Sequence, residues 1–300
     1  MPFACVGDLN IYYEIRGSGP RLLYFSGTGG DLRRSPNVFD WSLGKHFEIL
    51  AFDQRGLGRT DRPDLPYNMA DYAADANGLL ELVGWERCLA MGVSFGGMVA
   101  QEFALRYPQR VMRLALACSS SGGTGGASYP LEKVAHLPLE ERVRHSVAQA
   151  DTRRSPEWQA ENAEQWQALV DQTFAGLKIG ADEPNRQVGA RRQLEARAAH
   201  DSYDRLPSLR MPVFVCGGQY DGVAVPANQE ALHTQIPGSR LELFEGGTSS
   251  TCRTRKRSSA SWHFSRESSR ISVDMAVQEK PALVWKEGHS CSSRATTQIR

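Results

Sequence analysis

The chain has 300 residues, with 35 Lys and Arg against 34 Asp and Glu, a formal net charge of +1 and 41% apolar residues. That length suits one large domain with an insertion, and a charge so close to zero argues against nucleic acid as the main partner. No stretch approaches a membrane span, and residues 1–20 lack the basic start and long apolar run of a signal peptide, so a soluble cytoplasmic protein is the default expectation.

Asn10 to Arg16 alternates like an early strand. Arg21-Leu22-Leu23-Tyr24-Phe25 reads as a strand running into Ser26-Gly27-Thr28-Gly29-Gly30-Asp31. Phe47 to Phe52 is the next strand and leads into Asp53-Gln54-Arg55-Gly56-Leu57-Gly58-Arg59-Thr60-Asp61. Asp71 to Val83 reads as a helix. Cys88 to Val93 is short and mostly apolar, as a buried strand should be, and a helical pattern opens at Gly96 and runs to about Tyr107, stopped by Pro108. Between them Gly92-Val93-Ser94-Phe95-Gly96 fits G-x-S-x-G, the strand-to-helix turn that lifts a serine hydroxyl to the top of an α/β sheet. Small residues flank the serine because the tight turn brings strand and helix backbones together. A coincidental Gly-rich turn is the plainer alternative.

Met112 to Cys118 is another buried strand, followed by a Gly/Ser-rich loop over Ser119 to Ala127. From about Tyr129 to Ser202 no good strand appears; Leu139 to Ala150, Pro156 to Leu177 and Gln187 to Ala199 read as helices. Trp158, Trp166, Leu169 and Phe174 could line a pocket or simply pack these helices together. His200, beside Asp201, could touch the site but reads more simply as a surface histidine. Val213 to Gly217 is a later strand followed by Gln219-Tyr220-Asp221-Gly222, and Leu241 to Phe244 is the last, followed by Glu245-Gly246-Gly247. Gly27-Thr28-Gly29-Gly30 lacks the spacing of G-x-G-x-x-G and there is no G-K-[ST], which disfavours a nucleotide-binding α/β protein. The six cysteines, at positions 5, 88, 118, 216, 252 and 291, suit neither zinc nor a disulfide framework.

In this order the motifs resemble the α/β-hydrolase fold family over about residues 8–247, in its lid-bearing, cofactor-free esterase and lactonase-like branch. The resemblance implies a three-layer fold with a mostly parallel sheet: a core over 1–128, a helical lid over 129–205, and the rest of the core over 206–247. It implies hydrolysis of a small-molecule ester, lactone or related acyl bond through a seryl-acyl intermediate, with no metal or cofactor. Ser94 matches the nucleophile and Asp221 the acid, although Asp-Gly is also a common turn pair. The backbone N–H groups of Thr28 and Phe95 match the oxyanion donors; Ser26 stands where the family usually has a histidine, which a backbone donor tolerates. A serine hydroxyl needs a base to take its proton, and a carboxylate to orient that base.

The base is missing. The family pattern wants Gly-Gly-His, and this chain has Gly246-Gly247-Thr248. Residues 248–300 carry ten Lys and Arg against four Asp and Glu, hence +6, which leaves −5 for the body; serine is over-used and no apolar period is sustained. We read this as a shift of reading frame. Thr248-Ser249-Ser250-Thr251-Cys252-Arg253-Thr254 can be encoded so that a frame beginning one base earlier reads His-Leu-Phe-Tyr-Leu-Gln-Asp and continues as an amphipathic helix. A divergent but genuine tail is the alternative, and Arg253-Thr254-Arg255-Lys256-Arg257 alone would read as a nucleic-acid or import patch. As written, the tail is expected to be disordered and His263 or His289 a poor substitute base. An impaired or receptor-like member that binds a small molecule without turning it over is therefore the competing function.

Overall fold

The computed structural model describes residues 3–248; the expectations for the tail beyond Thr248 lie outside them. Its frame is an eight-stranded sheet in the order β1-β2-β4-β3-β5-β6-β7-β8. The strands are β1 (Phe3–Val6), β2 (Leu9–Gly17), β3 (Arg21–Phe25), β4 (Glu48–Phe52), β5 (Cys88–Val93), β6 (Val111–Ala117), β7 (Val213–Gly218) and β8 (Arg240–Phe244). β2 runs antiparallel to both of its neighbours, and every other pairing is parallel.

Parallel strands buried on both faces read as continuous apolar runs, which is why β3 and β5 match the sequence prediction residue for residue. Their side chains alternate between two cores. Leu23, Phe25, Leu50, Phe52, Ala90, Leu114, Leu116, Val213 and Val215 enter one cluster, with the helices α1 (Met69–Leu82), α2 (Phe95–Arg106) and α7 (Pro226–Gln235). Leu22, Tyr24, Ile49, Ala51, Leu89, Met91, Ala115, Phe214 and Cys216 enter the other, beside the short turns at Val38–Asp40 and Ser42–Lys45. In β8 the side chains of Leu241, Leu243 and Phe244 are only half-buried, unlike those of β7.

Between β6 and β7 lie four helices: α3 (Leu139–Gln149), α4 (Pro156–Glu161), α5 (Ala163–Lys178) and α6 (Arg186–Ala198). The expected single helix from Pro156 to Leu177 is thus broken at Asn162, whose side-chain amide donates to the Trp158 carbonyl at 2.9 Å. Trp158, Trp166, Leu169 and Phe174 pack with Val143, Val147 and Val170 inside this insertion. β1 and α7 have no counterpart among the predicted elements. His200 is not on the surface: it is 6% exposed, while its neighbour Asp201 is exposed. Among the described residues Cys88, Cys118 and Cys216 are buried and unbridged, no group of residues could hold a metal ion, and no helix is long and apolar enough to cross a membrane.

Candidate active site

Ser94 sits between the end of β5 and the first residue of α2, with φ +54° and ψ −119°. A non-glycine residue at positive φ is strained, and here the surroundings enforce it. The Ser94 amide donates to the Ala117 carbonyl at 2.8 Å, and the Ser94 carbonyl accepts from the Gly97 amide at 2.8 Å and the Ser119 hydroxyl at 2.9 Å. The flanking glycines are dictated by close approach. A Cβ on Gly92 would collide with the Gly96 carbonyl, and one on Gly96 with the carbonyls of Phe25 and Ser26. That is the physical content of G-x-S-x-G in this chain.

The loop after β3 lies against the serine: a Cβ on Gly27 would stand 3.6 Å from that of Ser94. Two buried glutamines hold this loop. Gln54 donates to the Ser26 carbonyl at 2.8 Å, and Gln193 of α6 accepts from the Gly29 amide at 2.8 Å. Asp53 anchors the next turn by accepting from the Leu32 and Arg59 amides at 2.7 and 2.9 Å. Phe95 supplies the first N–H of α2, which has no intrahelical acceptor. Among the described residues, neither the Phe95 nor the Thr28 amide has a hydrogen-bond partner.

Asp221 follows β7 and is buried. Its Oδ1 accepts from the Val223 and Ala224 amides at 2.8 and 2.9 Å and from the Thr248 hydroxyl at 2.5 Å. Burial pushes its carboxyl above the usual range, and these hydrogen bonds pull the other way. Thr248 is tied to the end of α3, its amide donating to the Ala150 carbonyl at 2.8 Å. Gly247 must be glycine because a Cβ would strike that same carbonyl. Ser94, Thr28 and Thr248 line one cavity of about 360 Å³. The residue at the position expected of the histidine therefore does meet Asp221 and does share a cavity with Ser94. It arrives as a threonine, a hydroxyl that donates to the carboxylate instead of taking a proton from serine.

One histidine does line this cavity. His145 of α3 is hydrogen-bonded through Nε2 to the Tyr129 hydroxyl at 2.8 Å. The sequence reading did not single it out, because a lone histidine on an amphipathic helix carries no local signal. Trp158, Trp166, Leu169 and Phe174 are absent from the cavity wall.

The sequence profile of the alpha/beta hydrolase fold matches residues 20–249. The chain belongs to that family. A candidate carbamate hydrolase, RutD, of Azorhizobium caulinodans is 27% identical over 248 residues, 82% of this chain and 91% of that protein. The 3-oxoadipate enol-lactonase 2 of Acinetobacter baylyi is 25% identical, over 79% of this chain and 86% of its own. A hydrolase structure from Pseudomonas aeruginosa superposes with a TM-score of 0.67 at 26% identity, covering 83% of this chain and 92% of the other. With homologues of this kind, the chain is an enzyme-fold member of the α/β-hydrolase family, whose relatives act on small molecules.

Proposed function

We propose that this site is that of a serine hydrolase acting on a small ester, lactone or related acyl bond, with Ser94 as nucleophile and Asp221 as the carboxylate that orients the base. The observation that carries the proposal is the convergence on one cavity of a strained, half-buried serine and of residue 248, which is hydrogen-bonded to Asp221. In the reaction, Ser94 Oγ adds to the acyl carbonyl carbon while its proton passes to a base at position 248. The Thr28 and Phe95 amides face the developing oxyanion, and a donor of that kind is worth about 3–4 kcal/mol elsewhere. The alcohol leaves with the proton returned by the base, and water then releases the acyl group from Ser94. The helical insertion over 129–205 serves as a lid above the serine, which the stitching of α3 to the Asp221 and Thr248 loops supports.

With threonine at 248, the step that needs a base has none, so the chain as written binds a small molecule and turns it over poorly. This second reading rests on the Thr248 to Asp221 hydrogen bond. The displaced reading frame reconciles the two, since it restores Gly-Gly-His. One DNA read across the codons for Gly246 to Arg257 decides the frame. Turnover of p-nitrophenyl acetate by the frame-restored chain, at a rate far above that of the given one, is the expected result. Equal rates would show that the tail is a working part of the protein and would sink the frame-shift reading.

A further inference from the structure

Arg34 lies in the same loop after β3 as Thr28. It lines both the cavity around Ser94 and the adjoining one of about 1020 Å³ under α6. Its Nε is buried without an acceptor, and among the described residues its guanidinium has neither an ion pair nor a hydrogen bond. Its neighbours differ. Arg33 is bonded to both oxygens of Asp31 and to Glu183, and Arg62 also pairs with Glu183. Arg186 reaches Asp31 only at 3.6 Å, and its Nη1 is likewise buried without a hydrogen-bond acceptor. Arg33 and Arg62 are thus each in direct contact with a carboxylate, whereas Arg34 is not. Burial, and then the charge of Arg186, press the Arg34 pKa down, against the pull of the more distant Asp31 and Asp53 carboxylates. A cation held partly out of water with no anion in contact is costly, and an anion reaching it from the cavity relieves that cost.

We infer that Arg34, backed by Arg186, binds a carboxylate on the substrate. The acyl compound that reaches Ser94 is then itself an anion: the half-ester of a dicarboxylic acid, or a lactone bearing a free carboxylate. The planar guanidinium fork suits a carboxylate, and the cavity that Arg34 shares with Ser94 also offers the apolar side chains of Leu32, Val38, Trp41 and Val93 to a short carbon chain. The word substrate rests on the reading of Ser94 as nucleophile; the anion site does not.

Calorimetric titration of the full chain with the monomethyl esters of succinate, glutarate and adipate, and with their dimethyl esters, tests it without needing turnover. At least one half-ester should bind roughly tenfold to a hundredfold more tightly than its diester. Arg34→Gln should abolish that preference while leaving diester affinity unchanged, which also reports an intact fold, and Arg34→Lys should recover part of it. Ser94→Ala should leave half-ester binding in place, so a failure of the nucleophile reading would not touch this result. The inference is overturned if no half-ester outbinds its diester, if Arg34→Gln weakens both alike, or if inorganic phosphate binds as tightly as the best half-ester.

Discussion

His200 offers a prediction that can be worked to a magnitude. Its ring is 6% exposed and neither nitrogen makes a well-aligned hydrogen bond among the described residues, although the Ser120 backbone lies close enough to oppose the effect of burial. Burial holds its pKa down to about 4, from an ordinary value of 6.5. The folded state therefore keeps the ring neutral in a range where the unfolded chain takes up a proton. Stability must fall as pH falls from 6.5 towards 4. The full span of that shift corresponds to about 3 kcal/mol, of which about 2 kcal/mol is lost between pH 7 and pH 5. That is a large share of the 5–15 kcal/mol typical of a domain. Urea unfolding of the given chain and of His200→Leu at both pH values isolates the effect, because carboxylates remote from His200, such as Asp31 with its Arg33 partner, contribute equally to both proteins. The leucine variant should match or exceed the given chain at pH 7 and lose about 2 kcal/mol less on acidification. Identical acid losses for the two proteins would refute the assignment of a neutral, buried His200.

Three other outcomes follow from the site. Asp221→Asn in the frame-restored enzyme should lower turnover roughly ten-thousandfold, as amidation of a triad aspartate does elsewhere. Because burial raises the Asp221 pKa, its contribution to stability is lost as pH rises through the folded value. The amide keeps Oδ1 as acceptor for Val223 and Ala224, so in the given chain, where Thr248 is the partner, the Asp221→Asn melting temperature at pH 7 should not fall. Gly96→Ala places a methyl against two backbone carbonyls that cannot turn away, and should cost at least about 1–3 kcal/mol in urea unfolding even where the protein remains soluble. Thr248→His alone should raise p-nitrophenyl acetate turnover only partly towards the frame-restored rate, because Leu241, Leu243 and Phe244 of β8 remain half-exposed. Full recovery by that single change would contradict this.

What the sequence revealed and what it hid have separate physical causes. The strands β3 and β5 are apolar throughout because both faces are buried, and that pattern is local. The helix α7 was invisible because its core-facing positions include Asn228 and Gln229, so its apolar period is broken. Gln229 donates to the Ser119 carbonyl at 2.8 Å and thereby fixes the loop after β6. Pro226 at its first turn was the one available signal. Ser94, Asp221 and the position of Thr248 were legible because turn chemistry and strand order place them. His200 was misread because its polar neighbours suggested solvent. Arg34 went unnoticed because being unpaired is a property of the folded charge set, and an arginine among arginines looks like any solvated run.

On the proposed reading, Ser94 is a nucleophile that lacks a histidine at position 248. A fluorophosphonate probe applied to the frame-restored chain, read by intact mass and peptide mapping, tests it most directly. One stoichiometric adduct is expected on Ser94, lost in Ser94→Ala and nearly absent from the given chain. An adduct that survives Ser94→Ala, or a frame-restored chain that takes no label, would contradict it.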